Sequence, residues 1–212
     1  METRLTRRTL QKVALMVPAP LLATIVHDRG AGLALAQDDK TSTTRILAPT
    51  PACGDGDDPE PTMQQTAGPF YTPNTPERIS FLEPGELGSR LFLSGYVYDT
   101  SCQPVPGALL DFWHCDAAGV YDNTGFRFRG HQFAAADGRF ELETVLPAVY
   151  PGRTRHIHVI AQAPNQPVLT TQLYFPDEPA NDTDGIFNPA LLMDIQPDGD
   201  SLLGFFTFVL HG

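Results

Sequence analysis

The segment Tyr150-Pro-Gly-Arg-Thr-Arg-His156-Ile-His158-Val-Ile places two imidazoles two residues apart. On an extended strand alternate side chains share a face. His156 and His158 should therefore point the same way, with Ile157 and Val159 on the opposite, apolar face. Two imidazoles so placed form a ready pair of metal ligands. The spacing alone does not separate such a pair from a half-exposed strand with two His on its polar side; the neighbours do. Tyr150 stands at a Pro-Gly turn leading into the His strand, and Tyr121 closes the run WHCDAAGVY. Phenolate is a hard, anionic oxygen donor that suits Fe(III). Two His and two Tyr make a mixed N/O set that neutralises two of the three positive charges, and a bound hydroxide would neutralise the third. A phenol ionises at a pKa of about 10 in water, and a trivalent cation would deprotonate it outright, as Zn²⁺ does thiols. His114 and His131 compete as ligands but stay outside the set, because the two Tyr and two His already fill it.

These residues need elements to position them. From Arg90 onward the chain runs through short segments rich in aromatic and β-branched residues: RLFLSGYVYD, ALLDFWHCD, FRFRGHQFAA, GRFELETV, HIHVIAQA, VLTTQLYF and LLGFFTFVL. Turn signals such as QPVPG and Asp137-Gly138 separate them. Regularly spaced short strands predict an all-β sandwich or barrel; the expected fold class is a β-sandwich core with long irregular loops around a metal site. NPALLMDI is expected to form a short helical turn.

The motifs QTAGPFY, PVPGALLDFWHCDAAGVY, FRG…ADGRFE, YPGR..HIH and TQLYF together resemble the intradiol ring-cleavage dioxygenases, the group of protocatechuate 3,4-dioxygenase and catechol 1,2-dioxygenase. The resemblance runs from about Gln65 to Phe208. It implies a β-sandwich with Fe(III) held by Tyr121, Tyr150, His156 and His158, with Tyr150 and His156 axial and Tyr121 and His158 equatorial beside a hydroxide. It implies an active-site Arg at Arg153 and Gln at Gln172. The implied partners are a small aromatic diol and O₂, and the implied reaction cleaves the ring between its two hydroxyl-bearing carbons to a muconate-type diacid. Negative charge developing on the ring needs a nearby cation, which the Arg153 guanidinium would supply; Gln172 would hydrogen-bond oxygen intermediates. Only six positions separate Tyr150 from His156, where larger members carry a longer loop. A homo-oligomer is compatible with this reading.

Two other readings compete. The frame GYVYD…PVPGALLDFW…ADGRFELETVLP also resembles the small β-sandwich repeats of adhesins and carboxypeptidase regulatory domains, a secreted binding or structural module without catalysis. That reading gives no reason for Tyr150, Arg153, His156 and His158 to cluster. A zinc hydrolase using H-x-H lacks an obvious carboxylate partner of the H-E-x-x-H kind.

The remainder of the chain sets the context. Its 212 residues fit one domain with appendages. The net charge of -11 disfavours nucleic acid and anionic lipid, which select clustered Lys and Arg. No apolar run reaches the roughly 20 residues of a membrane span. Residues 1–36 combine Arg7-Arg8, an apolar stretch from Val13 to Val26 and Ala34-Leu35-Ala36, which describes an export signal of twin-arginine type. The expected destination is periplasmic or extracellular. The leader carries a net +3, so its removal would take the charge from -11 to -14. Residues 37–61 are expected to be a Pro-rich linker or arm, and 62–212 the catalytic domain. Of Cys53, Cys102 and Cys115, a Cys53–Cys102 disulfide is expected over Cys102–Cys115, on the premise that the strands flanking Cys102 form a hairpin. Cys115 would then be a buried free thiol.

Overall fold

The computed structural model describes residues 59–211. The leader, most of the Pro-rich arm and Cys53 lie outside the described residues, which all fall in the compact unit Thr44–Gly212. The strands are β1 (Arg90–Asp99), β2 (Leu109–Trp113), β3 (Arg129–Phe133), β4 (Arg139–Val145), β5 (His156–Gln162), β6 (Leu169–Tyr174), β7 (Asp194–Asp198) and β8 (Ser201–Leu210). They form two four-stranded sheets, ordered β4-β1-β8-β7 and β3-β2-β5-β6. The expected all-β sandwich is the fold.

Alternation builds the core. In β1, Leu91, Leu93 and Val97 turn inward while Phe92, Ser94 and Tyr96 turn out. From the other sheet Leu110, Phe112, Ile157, Val159 and Leu173 meet them, with Phe140, Leu142 and Phe208 completing the layer. All pairings are antiparallel except β1 with β8, which run parallel over their full length.

The second sheet positions the chemistry. Residues directly opposite on neighbouring strands share a face, so register decides who meets whom. Arg129 on β3 faces Trp113 on β2, Trp113 faces His158 on β5, and His158 faces Gln172 on β6. His156 faces Tyr174. This row lies on the sheet face turned away from the sandwich core, with Ile157 and Val159 on the core side.

Some sequence expectations need correction. FRFRGHQFAA becomes a strand only from Arg129, because Asp122 draws the preceding residues into a loop, accepting backbone N–H bonds from Thr124, Gly125 and Arg127. The strand β7 was not foreseen: DIQPD is short, acidic and carries Pro197, a composition tolerated only at a sheet edge. The β1 and β2 strands do not form a hairpin but lie in different sheets. The premise of the disulfide argument therefore fails, and Cys102 is a free thiol, against the expected Cys53–Cys102 bridge; Cys115 is free and buried, as expected. The helical turn in NPALLMDI is the 3₁₀ turn Pro189–Leu191. No described helix is long and apolar enough to cross a membrane.

Candidate metal centre

The outer face of β5 is not half exposed. His156 and His158 are buried there under a strap, residues 62–71, and under the loops that carry Tyr121 and Tyr150. The strap is tied along its length. Gln65 N–H donates to Thr170 O (2.7 Å), Gln172 Nε2 donates to Thr66 O (2.9 Å) and Thr171 Oγ1 donates to Met63 O (2.7 Å). Phe70 stacks on Tyr121 with ring centroids 4.4 Å apart, and Trp113 lies flat against His158 at 4.9 Å.

The four expected ligands are brought together. His156 Nε2 lies 3.1 Å from His158 Nε2, 3.4 Å from Tyr150 Oη and 3.5 Å from Tyr121 Oη. The tautomer of His156 follows from its second nitrogen: Thr154 O can only accept, so Nδ1–H donates to it at 2.6 Å and Nε2 keeps its lone pair inward. His158 Nδ1 has no partner and is buried, so the polar business of that ring is also at Nε2. A metal about 2.1 Å from each donor separates adjacent donors by about 3.0–3.6 Å and opposite ones by about 4.2 Å. The donor set and these edges fit a single metal ion. His156 Nε2 is the atom on which the other three converge.

Electrostatics point the same way. Burial pushes both phenols, Tyr121 strongly, above their ordinary pKa. Burial also depresses the imidazoles, His156 to about 4 and His158 well below its usual value. The protein alone therefore favours neutral phenols and neutral imidazoles. Phenolates here require a cation supplied from outside the chain. Among the described residues no group of three or more His, Cys, Asp and Glu is placed to hold a metal, so His156 and His158 have no carboxylate partner of the kind a zinc hydrolase needs.

Arg153 and Gln172 also reach the site. Arg153 donates from Nε to Asp184 Oδ2 (2.9 Å) and from Nη2 to Gln172 Oε1. Tyr174 Oη lies 3.2 Å from the same oxygen and donates to Gln65 Oε1 at 2.6 Å. Gln172 thus spends its carbonyl oxygen on Arg153 and an amide N–H on the strap. A cavity of about 270 Å³ opens beside Tyr150 and Arg153, lined also by Val149, Pro151, Ala180 and Thr183.

Neither competing His joins the centre. His114 is fully committed: Nδ1–H donates to Cys115 O and Nε2 accepts from Thr144 Oγ1, both at 2.7 Å. His131 Nδ1 pairs with Thr75 Oγ1 (3.2 Å), which donates in turn to Asp111. Sequence reasoning missed Asp184, Gly68 and Arg129. Arg129 is completely buried and held by carbonyls of Asp122 and Phe70. The glycine and arginine lay inside motifs already quoted, QTAGPFY and FRG, but their roles depend on contacts. Asp184 sits in an acidic loop with no local signal.

A protein-family profile described as dioxygenase matches residues 66–191, more than half of the chain, including Tyr121, Tyr150, Arg153, His156, His158 and Gln172. The chain belongs to the intradiol ring-cleavage dioxygenase family. Among solved structures, this family member is similar to the dioxygenase domain of a dioxygenase–carbohydrate-binding protein fusion from Streptomyces sp. SirexAA-E. The two are 55% identical, with a TM-score of 0.71, over 72% of this chain and 99% of that one. The 3-chlorocatechol 1,2-dioxygenase of Rhodococcus opacus 1CP is 27% identical, with a TM-score of 0.67, over 74% of each chain. The catechol 1,2-dioxygenase of Pseudomonas sp. (strain EST1001) is 28% identical over 65% of this chain and 54% of its own length. The chain spans about half the length of the curated relatives it matches.

Proposed function

We propose that this intradiol family member is a non-haem Fe(III) dioxygenase that cleaves catechol-type aromatics between the two hydroxyl-bearing carbons. The observation that carries the reading is the convergence of Tyr121, Tyr150 and His158 within 3.5 Å of His156 Nε2. These four side chains would hold the iron, their two phenolates offsetting two of its charges. Bound Fe(III) would draw electron density from a chelated catecholate and so open the ring to O₂. Tyr150, on a loop beside the open cavity, is the ligand best placed to give way to substrate. Arg153, held between Asp184 and Gln172, presents a fixed cation to negative charge developing on the ring, a preorganised arrangement that needs no reorientation during reaction. Trp113 and Phe70 cover His158 and Tyr121 and keep water from them. Relatives named catechol, hydroxyquinol and chlorocatechol 1,2-dioxygenases support a catechol-type substrate.

Protein produced with iron should hold about one Fe(III) per chain and show a visible phenolate-to-iron band. Under ¹⁸O₂ it should convert catechols to muconate-type diacids carrying two labelled oxygens. A colourless protein with stoichiometric zinc, a semialdehyde product or no oxygen uptake over a broad catechol panel would reject the proposal. Export is proposed on the Thr6-Arg-Arg-x-Leu-x-Lys pattern alone. Changing Arg7 and Arg8 to Lys together should retain the precursor in the cytoplasm; unchanged export would reject that route.

A further inference from the structure

We infer that Asp184 is a positioning residue that fixes the orientation of Arg153 over the metal centre; the catalytic consequence rests on the function proposed above. Its carboxylate is almost entirely shielded, with side-chain exposure of 1%. A carboxylate is rarely buried so completely unless its lone pairs are committed, and here they are. Oδ2 accepts from Arg153 Nε and from Thr154 N–H, both at 2.9 Å, and Oδ1 accepts from Ile186 N–H at 3.0 Å. The bond to Thr154 matters because Thr154 O receives the Nδ1–H of His156. One carboxylate therefore clamps the segment between Tyr150 and His156 to the turn at 184–187.

The guanidinium has two anchors. Asp184 takes Nε and Gln172 takes Nη2, while Gln172 donates from Nε2 to Thr66 O. Thr66 belongs to the strap, so this second anchor reaches back to it. With Nε and Nη2 occupied, the plane of the guanidinium is set beside the Tyr150 and Tyr174 hydroxyls. A guanidinium is a planar fork whose use depends on its angle, and a misplacement of about 1 Å is enough to cost catalysis heavily. Without the buried Asp184, Nε would lose its acceptor and the plane its fixed angle.

The test combines a structural and a kinetic readout. In ¹⁵N-labelled metal-free protein, the Arg153 Nε–H resonance, assigned by its loss in Arg153→Ala, should be protected from exchange and should disappear into fast exchange in Asp184→Asn. In the iron-loaded enzyme Asp184→Asn should keep the visible band, lower kcat for catechol about 10- to 100-fold and change KM by less than about threefold. Placed on Arg153→Ala, the same substitution should change kcat by less than about twofold, since two residues acting through one group are not additive. A protected Nε–H in Asp184→Asn, or an equal kcat loss with and without Arg153, overturns the inference. Should Asp184→Asn fail to fold, Asp184→Glu, which keeps the charge but moves it by one methylene, replaces it with the same expected shift in the resonance and loss in kcat. A wild-type enzyme that shows the protected resonance but turns over no catechol would overturn the proposed function and leave the positioning role standing.

Discussion

Gly68 shows how a single residue limits the candidate metal centre. It takes φ +65°, and a Cβ there would lie 3.4 Å from His158 Cε1. Left-handed backbone costs an L-residue about 1–2 kcal/mol, and relief of that strain would shift the strap that lies in van der Waals contact with the His158 ring. Gly68→Ala should therefore lower stability by about 1–2 kcal/mol and reduce iron retained after dialysis, with far-UV circular dichroism unchanged. Full iron retention would show that the strap yields and the imidazole does not. Gly68 was legible in QTAGPFY only as a motif letter. Its reason is the approach of the strap to His158, which no local pattern encodes. Tyr121, Tyr150, His156 and His158 were legible because their donor types are few and their contexts distinct, whereas the relative placement of the four donors depended on distances.

At the scale of elements, the β1–β8 pair is the stem of the sandwich. Gly95 in β1 lies opposite Phe206, and a Cβ there would fall 1.7 Å from Phe206 O and 2.9 Å from the Phe140 ring. Backbone cannot retreat without breaking the parallel ladder, so Gly95→Ala should cost about 3 kcal/mol, measured by urea unfolding; a loss below about 1 kcal/mol would show that the ladder accommodates the methyl. The β5 strand lies between β2 and β6, and its register aligns Arg129, Trp113, His158 and Gln172 across one face. A slip of one residue would turn both imidazoles into the apolar core. The period-two pattern of HIHVIAQA predicts that the two His share a face. It says nothing of Trp113 or Gln172 beside them, because cross-strand partners come from 45 and 14 positions away along the chain.

Across the whole molecule, buried imidazoles couple folding to pH. His114 and His156 are each held near pKa 4 by burial, against about 6.5 in an unfolded chain. Between those values the unfolded state binds protons that the folded state does not, so their contribution to stability is complete above about pH 6.5 and is lost as pH falls toward 4. Each such His adds up to about 1.4 kcal/mol per pH unit to the slope. Urea midpoints of the metal-free protein should fall steadily from pH 6.5 to 4.5, and His114→Gln should make that fall shallower. A flat profile would mean that these rings find solvent or a counter-charge in the folded state.

The sequence by itself determined the all-β class, the strand positions with strong alternation and the shared face of His156 and His158, and it marked Tyr121 and Tyr150 as candidate donors. Each of these is carried by residue type, local context and short-range period, which a linear chain displays directly; Arg153 and Gln172 came only through the family resemblance. Tertiary structure alone decided that β1 and β2 part into different sheets, that Pro197 sits in an edge strand and that His156 is adjacent to every other donor. It alone showed that a buried Asp184 holds the guanidinium of Arg153. These depend on which distant segments pack together, and packing is settled by burial and hydrogen-bond satisfaction over the whole fold.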